Sequence, residues 1–108
     1  MADQNAVFDD FQKIAEILIH IRNRVDSDTD VVWTRFNDPR ELIEDLTSDI
    51  QKLQVCDSET LSKVFMKFWP TSTYQELSIS NGWGDEYLQL SKKFDFYRER
   101  IRSVLPAS

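Results

Sequence analysis

Turn-forming residues are too scarce in this chain to build a fold of many short strands. Two glycines and three prolines serve 108 residues, whereas a sandwich or barrel needs a turn roughly every 8–12 positions. Helices need far fewer breaks, so an all-α fold is expected, and the spacing of apolar residues supplies the helices.

The first is the clearest. Val7, Phe11, Ile14, Leu18, Ile21 and Val25 recur at steps of four and three, and Phe8 and Ala15 widen that face. Asp3 or Asn5 caps its start. The loop Asp26-Ser-Asp-Thr-Asp30 follows. Val31–Phe36 is β-branched and aromatic, but with almost no strand to pair with it reads as an extended or irregular segment. Asp38-Pro39 with Glu41 then gives a capping-box start to a second helix, whose buried stripe is Leu42, Ile43, Leu46, Ile50 and Leu53.

Asp57 or Ser58 caps a third helix, with Leu61, Val64, Phe65 and Phe68 inward and Pro70 as its stop. The patterns Ser72…Gln75 and Thr73…Glu76 open a short fourth helix that Asn81-Gly82 closes. A strand over Glu76–Ser80, paired with Val31–Phe36, is the alternative. Asp85 is read as the cap of a last helix carrying Tyr87, Leu90, Phe94, Tyr97, Ile101 and Val104. The expectation is a single domain over 1–108: a compact bundle of four or five helices with, at most, a minor two-stranded β element. The first and last helices should pack along each other.

Charge and cysteine usage narrow the function classes. The net charge is −6, which disfavours nucleic acid and anionic membrane, since both are bound by neutralising phosphate with Lys and Arg. It suits a basic protein partner. The charge is also uneven, with net −7 over residues 1–57 and +1 over 58–108, so a homodimer of acidic half against basic end is a further expectation. The single Cys56 forms no internal disulfide, which with the acidic N-terminus indicates a cytoplasmic setting. No apolar run approaches the length of a membrane span.

Motifs for catalysis are missing. There is no phosphate-cradling glycine loop, nucleophile elbow or dinucleotide fingerprint. Asp26-x-Asp28-x-Asp30 imitates the start of a calcium loop. Val31 stands where glycine is needed, however, and Asn37 where a bidentate Glu belongs, so a solvated acidic loop is expected rather than a metal site. His20 is the only histidine and lies about 240° from Ile14 around its helix. It should be exposed and paired with Glu16. Cys56 reads as a buried or incidental thiol. No cofactor is implied.

The aromatic residues are the better lead. Trp33, Trp69 and Trp83 fall at element ends, and Tyr74 falls just past Pro70. Trp83 stands between the chain's two glycines and next to Asp85 and Glu86. Tryptophans in loops either plug the end of a bundle or anchor a partner. The expected function is a non-catalytic binding protein that meets a protein partner through an acidic and aromatic surface made of Trp83, Tyr74, Trp69, Asp85 and Glu86. A pocket between helices lined by Trp69, Tyr74, Trp83 and Tyr87, taking a cationic or aromatic ligand, is the second expectation. An enzyme of unknown type is the third.

Overall fold

The computed structural model describes residues 4–32, 34–69 and 72–104, with no side-chain placement for residues 4 and 5. Five helices follow one another: α1 (Gln4–Asn23), α2 (Pro39–Gln54), α3 (Ser58–Lys67), α4 (Thr73–Ser80) and α5 (Gly84–Val104). No strand occurs among the described residues. None of these helices is long and apolar enough to cross a membrane.

The apolar stripe of α1 is broad because it serves two neighbours. Phe11, Ile14, Ala15, Ile17, Leu18 and Ile21 are all buried, an arc too wide for one helix partner. On one side α2 runs antiparallel to it, joined by Arg22 to Thr47 at 3.2 Å and by Gln12 to the Gln54 carbonyl at 2.9 Å. On the other side α5 is antiparallel as well, with Arg100 on Asp10 at 3.2 Å near one end and Arg24 on Glu86 near the other. Asp10 is buried on this seam. The 21 residues of α5 span roughly 30 Å at 1.5 Å per residue, and the molecule is drawn out along that direction, 47 × 24 × 21 Å.

Helices α3 and α4 bridge α2 and α5. Phe68, at the end of α3, is the keystone. Its ring stacks on Phe94 at 4.2 Å and on Tyr87 at 5.8 Å, and meets Tyr74 edge-on at 5.0 Å. Its carbonyl accepts the Tyr87 hydroxyl at 3.2 Å. Phe65, expected inside, is only part-buried; the Arg98 guanidinium covers its ring at 3.5 Å.

Local chemistry sets the helix ends. Asp38 caps α2 by accepting from the Glu41 N–H at 2.9 Å, while Glu41 reaches back to the Asn37 N–H at 3.0 Å, one residue before the expected partner. Asp57, not Ser58, caps α3. The α2–α3 turn closes with paired bonds from Asp57 N–H to Lys52 O (3.1 Å) and from Cys56 N–H to Leu53 O (2.9 Å). This termination needs a left-handed residue at its centre, and Cys56 takes it at φ 62°. The same arrangement ends α4. Trp83 N–H reaches Ser78 O at 2.9 Å and Gly82 N–H reaches Ile79 O at 3.3 Å, with Gly82 at φ 82°.

Residues 31, 32 and 34–36 are irregular, as expected, with the Val31 carbonyl accepting from both the backbone and the hydroxyl of Thr34; the alternative strand over Glu76–Ser80 lies inside α4, so no pairing forms among the described residues. Two local expectations change. Asp85 is not the cap of α5. The helix begins at Gly84, and Trp83 supplies the first accepting carbonyl, to Tyr87 N–H at 3.0 Å. Ser72 has the backbone geometry of a cap on α4 but makes no side-chain capping bond. Trp33, Pro70, Asp3 and Pro106 lie outside the described residues.

Candidate functional site

The five residues singled out in the sequence do not converge on one site. Trp83 is only 5% exposed and belongs to the core cluster. Its place follows from the end of α4: it is the residue after Gly82, where such terminations press an apolar side chain back onto the helix. Tyr74 is fully buried against Phe68. Trp69 is 48% exposed and meets Phe65 edge-on at 5.8 Å. Through Phe65 it is tied to Arg98, fourteen residues beyond Gly84 and so about 20 Å down α5. The aromatic pocket expected between helices is therefore not formed by Trp69, Tyr74, Trp83 and Tyr87.

Trp83, Asp85 and Glu86 do share a location. With Arg24, Ile79 and the two glycines they line an open depression of about 430 Å³ at the end of the bundle where α4 turns into α5. Arg24 forms its wall. The guanidinium lies 5.9 Å from the centre of the Trp83 ring and grips Glu86 with two hydrogen bonds, one of them 2.8 Å. His20 Nε2 lies 2.7 Å from the same carboxylate. His20 thus pairs across the helices with Glu86, while Glu16 faces Lys13. The bonds from Arg24 and then His20 push the Glu86 carboxyl down to about 2.

The acidic loop is fastened to this same end. Asn81 accepts from the Asp30 N–H at 2.8 Å and donates to the Asp30 carbonyl at 2.9 Å. A third bond runs from Asn81 to the Leu77 carbonyl at 2.8 Å. Within the loop, Asp26 accepts from the Asp28 N–H and Asp30 from the Val32 N–H, both at 2.9 Å. Those carboxylates hold the loop's own backbone, a common use of Asp in turns. Asp26, Asp28, Asp30 and Asp85 are exposed, and among the described residues none forms an ion pair. The same two segments carry two exposed aliphatic side chains, Ile79 at 59% exposure and Val32 at 71%.

A second polar group lies inside the bundle. Lys67 on α3 reaches both Asp45 and Asp49 on α2, each at 2.6 Å. Asp49 is buried, and Arg35 adds a longer contact to Asp45 at 3.7 Å. Among the described residues the buried Tyr74 hydroxyl has no hydrogen-bond partner. Burial first, and then the negative charge of Asp49, push its ionisation well above the usual value for tyrosine. The cluster reads as an internal tie between α2 and α3, because Lys67 satisfies both acids. No periodic signal marks it in advance except that Asp45 and Asp49 are one turn apart.

Among the described residues, no three His, Cys, Asp or Glu side chains gather as a metal site. Cys56 is part-buried, and burial pushes its thiol up. No family model matches the chain, and no curated protein or solved structure does either, so function is to be read from these residues themselves.

Proposed function

We propose that the protein is a non-catalytic cytoplasmic binding module that holds a basic protein partner at the end of the bundle carrying the 26–32 loop and the α4–α5 turn. One observation carries the reading: four exposed carboxylates without ion pairs among the described residues, Asp26, Asp28, Asp30 and Asp85, and the exposed aliphatic groups Ile79 and Val32 belong to the 26–32 loop and the α4–α5 turn, which Asn81 fastens together. Unpaired charge of one sign steers and orients an oppositely charged partner. Bare aliphatic groups on the same two segments supply area to be buried. A pinned loop loses little freedom on binding, which favours affinity.

Trp83 has a supporting part in this reading. It is the floor on which Arg24 and the turn rest, and the contact is made by Ile79 and the carboxylates above it. The partner should carry Lys or Arg side chains alongside an aliphatic one.

The test is a pull-down from the native cell with four baits: the wild type, Ile79→Asp combined with Asp85→Lys, Lys63→Glu on the exposed face of α3, and Trp69→Ala. A prey retained by the wild type and the α3 variant but lost from the α4–α5 variant supports the reading. A prey that survives the α4–α5 change, or is lost on Trp69→Ala instead, overturns it and moves the contact to α3. A second copy of the chain as the prey would make the contact a homodimer.

A further inference from the structure

We propose that the groove between α1 and α5 is a binding site for a compact organic anion, a single ring or short chain carrying a carboxylate or phosphate. The groove encloses about 290 Å³ and is lined by Lys13, Glu16, Ile17 and His20 of α1 and by Leu90, Lys93 and Tyr97 of α5. Its His20 end borders the depression at the α4–α5 turn through the bond to Glu86, but Lys13, Lys93 and Tyr97 are not part of that surface, and nothing in the groove depends on that surface binding a protein.

Three features converge on this ligand chemistry. Ile17 and Leu90 are each 5% exposed and give the groove an apolar floor. Two ammonium groups, Lys13 and Lys93, stand above that floor on opposite helices, although the protein as a whole carries a charge of −6. Unused donors complete the set. Among the described residues, Lys93 and the Tyr97 hydroxyl make no hydrogen bond or ion pair, whereas His20 is committed to Glu86. The one carboxylate on the groove, Glu16, sits 3.6 Å from Lys13, too far for a hydrogen bond, and is exposed enough to swing away.

Placed polar groups around an apolar base orient a ligand in small-molecule sites; here the rim is mostly polar and the volume lies just below the drug-sized range of about 300–1,000 Å³, which suits a compact charged ligand. Lys93 and Tyr97 are one turn apart on α5, so ammonium and hydroxyl can donate to one anionic head. The ring or chain behind that head would lie over Ile17 and Leu90. A cationic ligand would meet both lysines, and a neutral one would leave the donors unused.

The experiment is an amide-resolved NMR titration of the full chain at fixed ionic strength, with phenyl phosphate, benzoate, benzyl alcohol and inorganic phosphate as separate probes. Saturable shifts at Lys13, Ile17, Leu90, Lys93 and Tyr97 are expected with the two organic anions. Benzyl alcohol and inorganic phosphate should bind at least fivefold more weakly, since each lacks one half of the match. Lys93→Gln, an exposed change that leaves the core intact, should weaken the organic anions at least fivefold. The tighter of the two anions assigns the head group. Shifts that grow linearly at every lysine, equal binding of benzyl alcohol, or unchanged affinity in Lys93→Gln would each overturn the proposal.

Discussion

Trp83→Ala should unfold much of what the α4–α5 turn holds together. The indole is 5% exposed, and a buried tryptophan hides roughly 150–250 Å². At about 25 cal/mol per Å² that is about 4–6 kcal/mol, an upper limit because unfolded chains already bury some surface. Alanine keeps the Cβ but leaves a cavity, and large-to-alanine changes of this kind cost about 3–5 kcal/mol. For a domain of this size each kcal/mol lowers Tm by roughly 4–8 °C, so a fall of about 12 °C or more is expected. Trp83→Phe separates the causes. The buried Nε1–H has no acceptor among the described residues, so phenylalanine keeps an apolar group on the turn and removes a desolvated donor worth about 1–3 kcal/mol. Its net loss should stay below about 1.5 kcal/mol, because the smaller ring's cavity is offset by that relief. Urea unfolding followed by far-ultraviolet circular dichroism measures both variants. A loss under about 1 kcal/mol for Trp83→Ala, the level of a surface change, would refute its place in the core. Equal losses for both variants would show that the indole N–H is satisfied.

Asn81→Ala should release the acidic loop, costing about 1–3 kcal/mol for three lost hydrogen bonds; hydrogen exchange at the Asp30 amide should quicken far more than at Leu18, and equal acceleration at both would contradict a local clamp. Glu86 titrates from an ordinary 4.5 down to about 2 in the folded protein, so its contribution is present above about 4.5 and lost as pH falls through about 2. Acid unfolding of Glu86→Gln should therefore be shallower than wild type across that window, and parallel curves would count against the pairing with Arg24 and His20. Cys56, whose thiol burial pushes up, should react with iodoacetamide near pH 8 more slowly than an unfolded control peptide. A faster reaction would mean that the thiolate is favoured.

Regular apolar spacing made α1, α2, α3 and α5 legible, and capping patterns marked α4. In the stripes of α1, α2 and α5, Phe11, Ile14, Leu18, Leu42, Leu46, Ile50, Leu53, Leu90, Phe94 and Ile101 are buried, while Ile43 and Tyr97 are part-buried. Where the reading went astray, tertiary context outweighed a local signal. Val31–Phe36, with the composition of a strand, is not such a case: a strand without a partner leaves its backbone groups unpaired, and the expected irregular course lets Thr34 satisfy the Val31 carbonyl. Trp83 looked detached because no helical stripe includes it. Its burial comes from the termination of α4, which the neighbouring Asn81-Gly82 already announced. Asp85 has the composition of a cap, yet the chain enters the helix two residues earlier, with Trp83 in the capping position. The clamp of Asn81 on Asp30 and the tie of Lys67 to Asp45 and Asp49 link residues 51, 22 and 18 positions apart, and no periodicity in a single sequence encodes such distances. So the acidic and aromatic residues were found, but not which of them meet at one surface.

The position of α1 between α2 and α5 has a consequence for the order in which the bundle assembles. Its contact with α2 through Arg22 and Thr47 closes 25 residues, whereas its contact with α5 through Arg24 and Glu86 closes 62. By the logarithmic cost of loop closure, the second seam is about 0.8 kcal/mol harder to bring together, roughly a fourfold penalty in encounter. The α1–α2 hairpin should therefore form first, with the flank of α1 that carries Ile17 still open to water. Until α5 arrives to cover that flank, the half-built molecule is sticky, and the pairing that finishes the fold is also the one that keeps it from clumping.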